Sequence, residues 1–150
     1  MDTTNTTTRF WESIHREMTA TLATAAEASV TMRAVSPVRY ADKILIFTAA
    51  DSQKYHQLQK NPHACVAVDG FYVECTAELC GATMLPENAP LRAAYSAKFP
   101  GAFDENIAFG GRSAHFVLLQ PTRLTGWAFP DDTPTADGIP TIPFAIILDT

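Results

Sequence analysis

A chain of 150 residues with 47% apolar and 18% charged content has the length and make-up of one globular domain, which excludes disordered and fibrous classes. A formal net charge of −5 without any basic cluster argues against a nucleic-acid binder. No apolar run approaches the ~20 residues of a membrane span, and the start, MDTTNTTTRF, lacks a charged-then-apolar leader pattern, so a cytoplasmic location is expected.

In chain order, residues 1–8 are Thr- and Asn-rich and read as a flexible N-terminal tail. Arg9 to Thr19 reads as a covering helix, with Phe10, Trp11, Ile14 and Met18 on one side. Ala20–Ala25 and Val30–Val38 read as two strands joined at Ala26–Ser29. In the second, Val30, Met32 and Ala34 face one way and Thr31, Arg33 and Val35 the other. Pro37 sits near the end of that strand, where an edge or bulge accepts it. Tyr40-Ala41-Asp42 turns the chain into a third strand over Ile44–Thr48.

The stretch that follows carries the chemistry. Ala49-Ala50-Asp51 turns, Ser52–Lys60 reads as a helix, and Asn61-Pro62 stops it. A helix start combines unpaired N–H groups with partial positive charge, and Ser52, Gln53 and Lys54 add a hydroxyl, an amide and an ammonium. That set suits a phosphate; a Ser- or Asp-capped surface helix is the plainer alternative. Two more strands, Ala64–Val68 and Tyr72–Cys80, meet at Asp69-Gly70. Tyr72, Glu74, Thr76 and Glu78 give the latter one wet face. A helix over Pro86–Lys98 follows, and Gly110-Gly111 reads as a turn. Ala114–Gln120 and Arg123–Phe129 read as two strands hinged at Pro121. Cys65, Cys75 and Cys80 lack metal-pair spacing and read as structural thiols, and no metal site is expected. Residues 130–150 hold four of the ten prolines, four aspartates and no cation. By composition this C-terminal arm is a loose tail; its apolar end, Phe144–Leu148, favours a packed arm, reaching across a subunit boundary. The expected fold is a single domain, mainly β with α: a small antiparallel β-barrel of six or seven short strands with peripheral helices.

The ordered set Leu22-Ala23-Thr24, Arg33-Ala34-Val35, Phe47-Thr48, Ser52-Gln53-Lys54, Gln57-Leu58 and Asn61-Pro62 resembles the FMN-binding split barrels of the pyridoxamine 5'-phosphate oxidase-like superfamily. Over roughly residues 10–129 it is most similar to small members near the nitroimidazole-resistance branch. The resemblance implies a six- to seven-stranded split β-barrel of Greek-key type, in which Arg33 and Lys54 hold the FMN phosphate, with Ser52 and Gln53 completing its hydrogen bonds. It implies that Val35 and Ser36 run along the isoalloxazine, whose polar edge meets Phe47-Thr48. It also implies a homodimer with the cofactor at the interface, to which Trp127 of the partner subunit contributes an aromatic wall; a barrel-core aromatic is the alternative for Trp127. Two departures limit the carry-over. Gln53 stands where many relatives have a second cation. No Arg, Lys or His follows Arg123, which argues against vitamin-B6 phosphate oxidation itself. The implied activity is FMN-dependent oxidoreduction between a nicotinamide donor and a small acceptor. The rivals are a non-catalytic flavin- or haem-binding, stress-protection protein and a deazaflavin-dependent reductase.

Overall fold

The computed structural model describes residues 3–103, 113–129, 131 and 133–148, so the Gly110-Gly111 turn lies outside the described residues. The first element corrects the expected tail: helix α1 spans Thr3–Arg16. Threonine is a poor helix former, but burial overrides propensity. Thr6 is fully buried, and Phe10, Trp11 and Ile14 carry the same face into the core. Met18, assigned to that face, falls beyond the helix end and is exposed.

Strand β1 (Ala20–Ala26) passes through Glu27, at φ 56, into β2 (Ser29–Val35). Pro37 ends β2 instead of sitting inside it, and the chain resumes as β3 (Val38–Tyr40) before β4 (Lys43–Ala49). Helix α2 (Gln53–Lys60) leads into β5 (His63–Val68) and β6 (Phe71–Ala82), hinged at Asp69-Gly70. Tyr72, Glu74, Thr76 and Glu78 do share the exposed face of β6. A short 3-10 turn over Pro86–Asn88 opens helix α3 (Ala89–Lys98).

The two strands expected on either side of Pro121 are one, β7 (Ala114–Ala128). The proline is tolerated because β4 pairs with β7 only as far as Leu119 and β8 (Ile142–Ile147) only from Arg123, which leaves Pro121 in the gap. On the other side a register shift between Glu74 and Cys75 absorbs the irregularity. Strand β8 also settles the arm. It packs on β7 of its own chain, and Phe144 is buried.

The sheet therefore has eight strands among the described residues, not six or seven, in the order β2-β1-β5-β6-β7-β4-β3 with β8 beside β7. All pairings are antiparallel, and its ends, β2 and β3, are neighbours in sequence without being hydrogen-bonded to each other: a split barrel. Leu22, Ile44, Ile46, Val66, Val73, Val117, Leu119 and Leu124 fill the interior. Helix α1 covers the end near Ala20 and Val68, and α2 the end near Thr24 and Ala64. Outside the barrel, α3 lays Leu91 and Tyr95 over Leu45, Phe116 and Leu118. Among the described residues no helix is long and apolar enough to cross a membrane.

Gly126 is where the arm closes on the barrel. A Cβ there would stand 2.8 Å from the Phe144 ring and 2.9 Å from the Gly70 carbonyl oxygen. Gly126→Ala is expected to destabilise the fold by about 1–3 kcal/mol through overpacking, read as a lower urea midpoint. The thiols give a second test. Burial, more than the nearby Cys65 and Glu74, pushes Cys75 from 9.0 up to about 12. A thiol raised in the folded state contributes stability that is full below pH 9 and is lost as pH rises toward 12. Between pH 8 and 10.5 the wild type should lose more of its urea midpoint than Cys75→Val.

Candidate functional site

The site is built where the β1–β2 hairpin meets α2. Arg33 pairs directly with Leu22, a fully buried interior residue, so its side chain starts on the inward face of the edge strand β2. Nη1 donates to the Leu22 carbonyl at 3.2 Å and to Thr24 Oγ1 at 2.7 Å, and Nη2 donates to Thr31 Oγ1. Both threonines in turn donate to Oε1 of Gln57 on α2, each at 2.6 Å. The guanidinium is half-buried, and burial lowers it from its ordinary value. Among the described residues no carboxylate lies within ion-pair distance of it. A partly desolvated charge is thus met, among the described residues, by neutral oxygens.

Helix α2 begins as its sequence requires. Ser52 is the N-cap, its Oγ accepting from the Tyr55 N–H at 3.3 Å and sharing a 3.0 Å hydrogen bond with Thr48 Oγ1. The Ser52 hydroxyl is therefore already engaged in holding its own helix to β4. Lys54 is half-buried and precedes Gln57 by three residues, which sets both on one side of α2. Gln53, the first helical residue, is exposed and lines a cavity of about 360 Å³ with Asp51, His56, Gln57 and Lys60.

The structure gathers Arg33, Thr48, Ser52, Gln53 and Lys54 around the α2 end of the barrel, with half-buried Val35 on the same strand face as Arg33. Other residues singled out from the sequence lie elsewhere. Ser36 follows β2, and its carbonyl accepts from Tyr95 OH at 2.9 Å, on the α3 side. Phe47 points to the face of β4 opposite Thr48, into an aromatic cluster whose ring centroids lie 4.8 Å (Tyr95), 5.4 Å (Phe103) and 6.3 Å (Phe116) away. Only its backbone remains beside Thr48. Trp127 is 57% exposed, which removes it from the barrel core. It lines a groove of about 950 Å³ with Arg9, Tyr72, Phe129 and Phe144 at the α1 end, away from Arg33 of its own chain.

Two features escaped the sequence reading. The Thr24–Thr31–Gln57 cluster is one; its trace was the register of a hairpin that sets the two threonines opposite each other. The other is a 3.0 Å hydrogen bond between Tyr55 OH and His115 Nδ1, made because His115 pairs with Thr48 across β4 and β7. Among the described residues no group of three His, Cys, Asp or Glu side chains is placed to hold a metal ion.

Comparison with known proteins agrees with this architecture. The heme storage protein HutZ of Vibrio cholerae has a TM-score of 0.68 at 14% identity, covering 84% of this chain and 97% of that one. A FAD-binding protein of Mesorhizobium loti gives 0.61 at 12% identity, covering 83% and 92%. A NimC/NimA family protein of Clostridium acetobutylicum gives 0.56 at 15%, covering 79% and 84%. At such identities the likeness shows the fold alone. No curated protein sequence matches significantly. The family model described as pyridoxamine 5'-phosphate oxidase matches residues 7–128. That span takes in both strands of the Arg33 hairpin, α2 and all of β7, and the chain accordingly belongs to the pyridoxamine 5'-phosphate oxidase family.

Proposed function

We propose that this protein is a homodimeric FMN-dependent oxidoreductase, with the cofactor phosphate held between Arg33 and Lys54 at the α2 end of each barrel. The observation that carries the reading is the state of Arg33: a half-buried guanidinium whose partners among the described residues are three neutral oxygens and no carboxylate. Such a group is stabilised by an incoming dianion, with which it forms charge-assisted bonds. Lys54 adds a second positive charge from the first turn of α2, where the helix dipole favours an anion as well. Ser52 serves this site by fixing the helix start against Thr48, and Gln53 offers its amide at the exposed rim.

The bound flavin would supply the redox chemistry, taking a hydride from a nicotinamide donor and passing electrons to a small acceptor. The chain's own part is to bind, orient and wall it. One barrel offers one wall, so the reading assigns the second to a partner subunit, with exposed Trp127 as its aromatic contribution.

The test is a titration of cofactor-free protein with FMN, riboflavin and haem, followed by absorbance and flavin fluorescence. FMN binding far tighter than riboflavin binding supports the phosphate site; equal affinities, or haem bound in preference to both, count against it. Anaerobic bleaching of the FMN-loaded protein by NADH or NADPH, then recovery on adding a quinone or nitroaromatic acceptor, separates an oxidoreductase from a flavin store.

A further inference from the structure

Arg33 is not merely near Gln57; the hydrogen-bond directions between them are forced. A guanidinium has five N–H donors and no acceptor. Thr24 Oγ1 and Thr31 Oγ1 must therefore both be acceptors toward Arg33. Each hydroxyl proton must then go elsewhere, and the near acceptor for both is Gln57 Oε1 at 2.6 Å, the other threonine's oxygen lying 3.5 Å away. This also fixes the orientation of the carboxamide, since its nitrogen accepts nothing. Gln57 is 6% exposed and Thr24 2%, so water does not substitute readily for either bond.

The geometry of the fork has a consequence. Both Nη1 protons and one Nη2 proton are committed, to Leu22 O, Thr24 and Thr31. What remains among the described residues is the Nε–H and the second Nη2–H, which lie side by side along one edge of the guanidinium. That edge is the bidentate one for a phosphate or carboxylate.

We propose that Gln57 is a positioning residue for anion recognition: by accepting from both threonines it turns them into acceptors, which clamp Arg33 by its far edge and aim its Nε–Nη2 edge at the ligand. The identity of the anion as the FMN phosphate rests on the function proposed above; the clamp does not. Because Gln57 belongs to α2 and Arg33 to β2, these four bonds tie the helix that carries Lys54 to the strand that carries the arginine. The strand and the helix are thereby fixed to each other before any ligand arrives, which lowers the ordering cost of binding.

The experiment has a ligand-free arm and a binding arm. In the ligand-free protein, the Arg33 side-chain NMR signals, assigned with Arg33→Lys, should show hindered rotation about the Cζ–Nη bonds. Gln57→Leu should restore fast rotation, whereas Gln57→Glu, which keeps an acceptor at the same place, should leave it slow. Thr31→Val, which removes one strut, serves if Gln57→Leu does not fold. In the binding arm, Gln57→Leu should weaken FMN binding by about 10-fold and leave riboflavin binding unchanged. In an Arg33→Ala background the same change should cost less than about 2-fold, because the route through Arg33 is gone. Unchanged rotation in Gln57→Leu, or an equal loss in both backgrounds, overturns the proposal. If the wild type binds no FMN, the flavin reading falls, and the ligand-free arm decides the clamp by itself.

Discussion

Arg33→Ala is expected to weaken FMN binding by about 100-fold or more, the loss of one bidentate charge-assisted contact worth ~3 kcal/mol. Riboflavin, which lacks the phosphate, should bind the variant as it binds the wild type. The fold should survive. The residues left behind, Thr24 and Thr31, keep Gln57 Oε1 as an acceptor for their protons, and the lost partners of Arg33 include only one carbonyl, that of Leu22. A stability loss near 1 kcal/mol is the expected side effect. Lys54→Ala should act in the same direction with a smaller factor, since an ammonium recognises a phosphate as a point charge instead of by a fork. Fluorescence titration at two salt concentrations checks both: the wild-type affinity should fall with salt and that of the double variant should hardly change. Retention of FMN by Arg33→Ala at wild-type affinity would count decisively against the site.

The largest effect on stability is expected far from this cradle, at Lys98. Its ammonium has three N–H donors and meets three backbone carbonyls: Ile14 O at 2.7 Å, Glu17 O at 2.6 Å and Pro37 O at 2.7 Å. One side chain at the end of α3 thus closes the C-terminal end of α1 and pins the link between β2 and β3. Lys98→Met keeps the length and loses the charge. It strands three oxygens that no other described side chain serves, at a cost of about 3 kcal/mol and a melting temperature lower by ~10 °C. Lys98→Arg should rescue little, because a planar fork does not reproduce a tripod. A melting temperature within 2 °C of wild type for Lys98→Met, by differential scanning calorimetry with roughly that precision, would show that the three carbonyls find other donors.

The sequence was legible where local chemistry and tertiary packing agree. Ser52 as N-cap, Asn61-Pro62 as stop and Asp69-Gly70 as a turn are local decisions, and each is found in place. The wet face of β6 follows from simple alternation. The misreadings lie where a distant partner decides. Thr3–Thr8 looks like a tail because threonine disfavours helix, yet packing of α1 against the barrel recruits it. Pro121 looks like a break because nothing nearby reveals that β4 and β8 leave a gap opposite it. Of the candidate site, Ser52, Gln53 and Lys54 were legible as a helix start, which is visible in one dimension, whereas Arg33 was singled out only by the family resemblance. The inner layer of the site was not legible. Thr24, Thr31 and Gln57 are ordinary letters until the hairpin register and the seat of α2 bring them within hydrogen-bond distance. Phe47 shows the converse: adjacent in sequence to Thr48, it belongs to the opposite side of the strand.

The central position of β7 bears on how the chain reaches this fold. Ile44 and Ile46 are made early in synthesis, but the edge of β4 that faces β7 has no partner until residues 114–119 emerge. Through that interval of some seventy residues, an apolar ribbon waits with open amide groups, an invitation to intermolecular pairing. Helix α2, made directly after β4, supplies Tyr55 and Leu58 as a provisional cover. Acquisition of native structure should therefore be slow and late, gated by delivery of one strand from the final third of the polypeptide. Nascent chains halted before residue 114 should be captured by chaperones far more readily than those halted after residue 148.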